Sequence, residues 1–354
     1  MTSANILIYG AGPLGSLFAA KLQRAGHSVS LLARGQRLVD LREHGVVLID
    51  FETRERTTTR VRIVESLEAD DEYDLILVIM RKNHALQILP VLAANTGTPT
   101  VLFLMNNAAG QDELVQALGK ERVMIGFPGA AGARQGEAMV VLCGTEEEPF
   151  PVPIGEIDGS VTERTQLVAD ILSAPVEFTA EIREDMDRWL KCHVAFLMPA
   201  LGPAMYACGA DNYRMSRTPD AILLAIRGIR ESLRALRSLG YSIVPTYLRN
   251  LAVLPEPIIY AILRKALQNE RMEIAMAAHA EAARDEVQHL AAEFRTLTAN
   301  SGVPTPVCDS LAKHLDSDEP LLPEGQSTLR MRWEELLLPL ALLAAIILLL
   351  ITLL

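Results

Sequence analysis

The chain has 354 residues, half of them hydrophobic, and a formal net charge of −11, which is long enough for two buried cores. The acidic balance argues against a nucleic-acid binder, which needs a basic face to displace counterions from the phosphate backbone. Cys143, Cys192, Cys208 and Cys308 are scattered without paired spacing, so neither a disulfide framework nor a metal site is expected.

The N-terminus, "MTSANILIYGAG", has no basic leader or small-residue cleavage site, which places the bulk of the protein in the cytoplasm. From Asn5 to about Ile154 the runs "ILIY", "SVSLLAR", "LILVIM", "TVLFLM" and "RVMIGF" are continuous and apolar. Strands buried on both faces of a parallel sheet have that composition. Helical patterns separate them, "GSLFAAKLQRAG" first among them. This alternation predicts an α/β fold with a doubly wound parallel sheet of Rossmann type over residues 1–161.

The first turn, Gly10-Ala11-Gly12-Pro13-Leu14-Gly15, follows a strand and opens a helix. There the first glycine permits the tight turn, the second lets backbone approach a pyrophosphate, and the third lets helix and strand pack closely. Roughly twenty residues past such a loop, an NAD site carries a carboxylate for the ribose. This chain has Arg34 there, with Arg37 close by, and an arginine that pairs with a 2′-phosphate predicts NADPH as the cofactor.

Beyond about residue 162 long helices dominate. Thr218-Pro219-Asp220 reads as a helix start, and Ile222, Ile226, Ile229, Leu233 and Leu236 form one buried stripe at helical spacing. An all-helical substrate or dimerisation domain is expected over residues 162–325, followed by a linker at 326–335. Leu336 to Leu354 carries no charge; at 1.5 Å per residue it makes roughly 28 Å of helix. A single transmembrane helix at 336–354 is the expectation, like a tail anchor, with Arg330 and Arg332 just before it.

One lysine stands out. Between Trp189 and Gly209 there is no carboxylate, and the strong bases are Lys191 and His193 in an otherwise apolar run. A late helix offers a carboxylate: Ala283, Val287, Leu290, Phe294 and Leu297 form an apolar stripe, with Glu286 at its margin and Asp285 pointing nearly the opposite way. A marginal Glu is commonly a salt-bridge partner, and a histidine in an apolar run is commonly a hydrogen-bonded core residue.

With the glycine loop, Arg34, "MNNAAG" and the Lys191 segment, the chain resembles the ketopantoate reductase family from about Asn5 to Ala312. The resemblance implies NADPH-dependent reduction by an N-terminal Rossmann domain and an all-helical C-terminal domain, with the active site in the cleft between them. It places the family's asparagine near nicotinamide and substrate on Asn107, and its cofactor-contacting lysine on Arg81, with Lys82 beside it. The catalytic lysine, which opens a helix after a tryptophan, falls on Lys191. The carboxylate counted back from Gly302-Val303-Pro304-Thr305-Pro306 falls on Glu286.

Departures from the pattern concern the substrate. Ala108 replaces a glycine, Ala195 stands where the family has asparagine one turn after the lysine, and Ala291 stands where another is expected. His193 is the candidate replacement donor. The expected activity is hydride transfer from NADPH to the carbonyl of a small 2-oxo acid or related ketone, without a metal. A non-catalytic, membrane-tethered NADPH-binding sensor is the alternative. A homodimer is compatible with the pattern and is not fixed by it.

Overall fold

A computed structural model describes residues 3–338. Twelve strands form two sheets: β1 Asn5–Tyr9, β2 Ser28–Leu32, β3 Val46–Asp50, β4 Arg56–Thr59, β5 Arg62–Val64, β6 Leu75–Val78, β7 Val101–Leu104, β8 Val123–Gly126, β9 Ala131–Gln135, β10 Ala138–Leu142, β11 Phe150–Glu156 and β12 Phe178–Ile182. The chain divides into a first unit, residues 1–193 with 281–293, and a second, residues 194–280 with 294–354.

The first unit holds both sheets. The larger has the order β5-β2-β1-β6-β7-β8-β11-β12, parallel from β5 to β8 and antiparallel between β8 and β11. The five apolar runs of the sequence fall on β1, β2, β6, β7 and β8, and β6, β7 and β8 are buried at every residue. The chain passes from β1 to β2 on one side and then back past β1 to β6 on the other, so the strand order reverses at β1, beside the glycine turn. A doubly wound sheet binds its ligands at such a switch point.

Two extensions of this unit carry no strong signal in the sequence. β11 and β12 lengthen the large sheet. β11 includes Pro151 and Pro153, residues that depress a strand reading, and it pairs with β8 only through Ile154–Glu156. In a smaller sheet, β4-β3-β10-β9, the outer strands β4 and β9 are Thr- and Gly-bearing and part-exposed, whereas β3 and β10 between them are largely buried. Phe18 of helix Pro13–Arg24 stacks on Phe178 of β12, ring centroids 4.7 Å apart. Both rings are fully buried, and each contributes about 1.5–3 kcal/mol by leaving water.

The second unit is helical. Helix Pro219–Ser238 buries all five residues of its predicted stripe. Thr218 takes the N-cap position, but its hydroxyl donates to the Arg214 carbonyl instead of capping. Asp220 is buried and accepts from the backbone N–H groups of Thr328 and Leu329, the Thr328 hydroxyl and the Gln326 amide. Glu256, fully buried, takes both arms of Arg227 and the Arg332 N–H, and Arg230 pairs with Glu335. These buried carboxylates bind the polar stretch before the apolar segment to the helical unit. Among the described residues no helix is long and apolar enough to cross a membrane; of the expected span at 336–354, residues 339–354 lie outside the described residues.

Candidate active site

The first unit builds a site from the ends of its parallel strands. β1 ends at Tyr9 and the chain turns through Gly10, whose φ of 123° is open to glycine alone without strain. A Cβ on Gly10 would lie 2.4 Å from the Ile79 carbonyl oxygen, and one on Gly15 would lie 1.7 Å from the Gly10 carbonyl oxygen. Gly12 meets nothing within 4 Å, so the turn presents bare backbone to open space. Helix Pro13–Arg24 starts there with Gly12 at the N-cap and no side chain capping it. Its first N–H groups and dipole are therefore left without a side-chain acceptor and could hold an anion.

Arginines at the end of β2 divide their work. Arg34 is exposed at the N-cap of helix Gly35–His44 and reaches the Glu65 carbonyl and the Tyr9 hydroxyl. Arg37 is buried instead: it donates to the Ala11 carbonyl at 3.2 Å, the Ser16 hydroxyl at 3.0 Å and the Glu137 carbonyl at 2.9 Å. Arg37 thus braces the glycine turn from within, and Arg34 stays at the surface.

The ends of β6 and β7 bring the polar cluster together. Lys82 is buried, and its ammonium contacts Asn107 Oδ1 at 2.8 Å and Glu293 Oε1 at 2.6 Å. Asn107 also closes its own turn: Nδ2 donates to the Gly110 carbonyl at 2.7 Å and Oδ1 accepts the Gly110 N–H at 3.1 Å. Lys191 Nζ lies 3.5 Å from the position a Cβ on Gly110 would take. Both ammonium groups therefore stand against the Asn107–Gly110 turn. Burial pushes the Lys82 ammonium below the usual lysine range against the opposing pull of Glu293, and the Lys191 charge adds to that drop.

Lys191 sits in the second turn of helix Met186–Phe196, one turn later than expected. The helix begins before Trp189, whose N–H bonds to the Asp185 carbonyl. That extra turn supplies Asp187, one turn before Lys191, which pairs with its ammonium and accepts from the Gln111 amide at 2.7 Å. The i,i+4 spacing of Asp187 and Lys191 is visible in the sequence once the helix start is known.

Glu286 is buried and accepts from the Asn106 side chain and the Lys82 backbone N–H; burial pushes its carboxyl above the usual range against those bonds. Arg81 pairs with Asp285 at 2.8 Å and also reaches the Ala282 carbonyl, while Asn83 donates to the other Asp285 oxygen at 2.7 Å. His193 is held apart from the cluster. Two residues beyond Lys191, it lies on the opposite side of the helix, stacked on Trp189 at 4.9 Å and 4.4 Å from the Phe127 ring. Both its ring nitrogens are buried with no hydrogen-bond partner among the described residues, and burial pushes its pKa down to about 4.

The structure thus gathers Lys82, Asn107, Lys191 and Glu286 at the ends of β6 and β7, Glu286 through Asn106 and the Lys82 backbone. Gly10 to Gly15 and Arg34 lie at the ends of β1 and β2. Sequence reasoning missed Asp187, Gln111 and Glu293. For Glu293 the sequence holds no signal, because its partner lies on a different element far along the chain.

The chain is similar to known proteins over much of its length. Residues 6–151 match the family described as Ketopantoate reductase PanE/ApbA. The chain is 22% identical over 228 residues to a 2-dehydropantoate 2-reductase of Listeria innocua, covering 64% of this chain and 73% of that one. It is 25% identical over 244 residues to a protein of the same name from Archaeoglobus fulgidus, covering 68% and 76%. Among solved structures, 2-dehydropantoate 2-reductase from Geobacter metallireducens superposes with a TM-score of 0.68 at 18% identity, over 88% of this chain and 98% of that one. D-mandelate dehydrogenase with NADH and anilino(oxo)acetate gives 0.66 at 16% identity, over 88% and 96%. These two structures share the fold.

Proposed function

We propose that the chain is a member of the ketopantoate reductase family, which its similarities to that family support, and that it is an NADPH-dependent reductase of a small 2-oxo acid or related ketone. The observation that carries this reading is the juxtaposition of Lys82 and Lys191 against the Asn107–Gly110 turn, next to the glycine turn in the strand order. The residues present fit the cofactor. Gly12 leaves room for a pyrophosphate above an uncapped helix start, and Arg34 stands at the strand end where a 2′-phosphate would lie. Bound NADPH would supply the hydride.

The chain's own residues do the rest. As charge grows on the carbonyl oxygen, the Lys191 ammonium stabilises it and delivers the proton, while Asp187 holds the lysine in place. Asn107 orients the substrate or the nicotinamide, and its position is fixed by Gly110 and Lys82. Glu286 keeps Asn106 and the start of helix Lys82–Ala85 in register. Ala195 and Ala291 replace polar contacts, so the favoured substrate carries an apolar group beside its 2-oxo acid.

The test is loss of reduced-cofactor absorbance with NADPH and a panel of aliphatic and aryl 2-oxo acids. Turnover that rises with the apolar size of the substituent supports the reading; NADPH binding without turnover on any member overturns it. Arg34 gives a sharper prediction for the cofactor. A charge-assisted contact to phosphate is worth about 1.5–3 kcal/mol, so Arg34→Ala should raise the KM for NADPH by about 10- to 100-fold and leave that for NADH unchanged. Equal effects on both would remove Arg34 from the phosphate site.

The uncharged stretch 336–354 supports attachment to a membrane by one C-terminal helix, with the catalytic units in the cytoplasm. Deleting 336–354 should move the protein from the membrane pellet to the supernatant with kcat unchanged. A full-length chain found in the supernatant would refute the anchor.

A further inference from the structure

Residues 326–335, expected as a linker, are a strap pinned along the helical unit. Buried Asp220 takes the N–H groups of Thr328 and Leu329. Arg227, paired with fully buried Glu256, donates to the Arg330 carbonyl at 2.7 Å, and Glu256 accepts the Arg332 N–H at 2.9 Å. Glu335 pairs with Arg230 at 3.0 Å and accepts the Glu256 N–H at 2.8 Å. Holding the chain at Glu335 leaves no slack between the helical unit and the uncharged stretch that begins at Leu336.

A helical turn opens at the end of the strap, where the Trp333 carbonyl accepts the Leu336 and Leu337 N–H groups at 3.0 and 2.9 Å. Besides holding Glu335, Arg230 donates to the Leu251 and Leu254 carbonyls, which brings the C-terminal end of helix Thr246–Val253 alongside. Val253, Trp333, Leu337 and Leu338 are each more than half exposed. Large apolar side chains gathered on a surface mark a contact with something apolar. Exposed Arg330 and Arg332 stand beside exposed Glu334, so net charge gives the face little with which to select a protein partner. A tryptophan flanked by arginines at the start of an uncharged run is the composition of a membrane–water interface.

We propose that this face of the helical unit, Val253 with Trp333 and Leu337, lies in the headgroup layer of a bilayer, so that the unit is docked on the membrane instead of tethered beside it. The proposal rests on the reading of 336–354 as an anchor. The strap supplies the constraint. With Glu335 fixed to Arg230 and to the Glu256 backbone, a chain that enters the bilayer from Leu336 brings Val253 to its surface. Val253 and Trp333 then leave water, while the Arg330 and Arg332 guanidinium groups meet the lipid phosphates.

The test uses the full chain with Val253→Cys, labelled with nitrobenzoxadiazole and reconstituted in phosphatidylcholine vesicles. The native cysteines are all buried, so the label goes to one site. Flotation of the vesicles through a density gradient reports the anchor. Quenching by lipid that carries bromine near the headgroup end of its acyl chains reports docking. An apolar face in the interface reaches that depth, so label emission should fall by about half or more. Glu335→Ala opens the clamp and should lose most of the quenching while the chain still floats; thermal unfolding of this variant checks that the helical unit is intact.

Flotation with an unquenched label would overturn docking and leave the anchor standing. A chain that stays at the bottom of the gradient would defeat the anchor reading and the docking with it. Full quenching in Glu335→Ala would reflect the label's own affinity for lipid and would also sink the proposal. A label shielded from water in detergent, in a species of twice the chain's mass, would assign the face to a second copy instead.

Discussion

Lys191→Ala should lower kcat on the preferred 2-oxo acid by about a thousandfold, within the range expected for removing a general acid that also stabilises the oxyanion. NADPH affinity should change by less than about threefold, because the lysine stands against the Asn107–Gly110 turn, whereas the pyrophosphate and 2′-phosphate are assigned to the glycine turn and Arg34. Lys191 is buried, and its ammonium is held by Asp187, which in turn accepts from Gln111. Asp187→Asn keeps the shape of that contact and removes its charge, so it should cost a smaller factor of about ten. The measurements are steady-state kinetics and a fluorescence titration with NADPH on the same preparations. If Lys191→Ala keeps more than a tenth of wild-type kcat, the proton comes from elsewhere, and Lys82 becomes the group to test.

The apolar runs on β1, β2, β6, β7 and β8 were legible because a strand covered on both faces must be continuous and hydrophobic. The glycine turn was legible because each glycine answers a separate steric demand, and the structure shows two of them directly at Gly10 and Gly15. What the sequence concealed has a common cause. β4 and β9 are part-exposed, and β3 and β10, though largely buried, join two local hairpins through a pairing of segments distant in the chain, which no local period marks.

The polar cluster followed the same division. The family resemblance picked out Lys191, Asn107 and Glu286, and the periodicity that set Glu286 at the edge of its apolar stripe agrees with its burial. Lys82 was legible only as a neighbour of Arg81. That it turns inward while Arg81 turns to Asp285 is decided by the packing of helix Arg284–Thr298. His193 shows the limit of reading a lone histidine: its aromatic stack with Trp189 and Phe127 is a packing arrangement that a donor role could equally have explained in the sequence.

Gly15→Ala and Gly12→Ala should separate the two tasks of the glycine turn. A methyl on Gly15 would lie 1.7 Å from the Gly10 carbonyl oxygen, far inside contact distance, and that oxygen is backbone of the tight turn rather than the end of a flexible side chain. Helix Pro13–Arg24 must therefore shift, at a cost of about 1–3 kcal/mol for overpacking, and its N-terminus moves off the anion site. Gly15→Ala should lower Tm by several degrees and weaken NADPH binding by about a hundredfold or more, equivalent to about 2.7 kcal/mol. Gly12 has φ of −71° and open space where a Cβ would point, so Gly12→Ala should leave Tm unchanged. Its methyl would nevertheless occupy the side from which a pyrophosphate approaches the backbone, and NADPH affinity should fall by a similar factor. Thermal unfolding and cofactor titration of the two variants together decide the point. Wild-type affinity in Gly12→Ala would mean that the pyrophosphate does not lie over this turn, whereas wild-type Tm in Gly15→Ala would mean that the helix and the strand can part without cost.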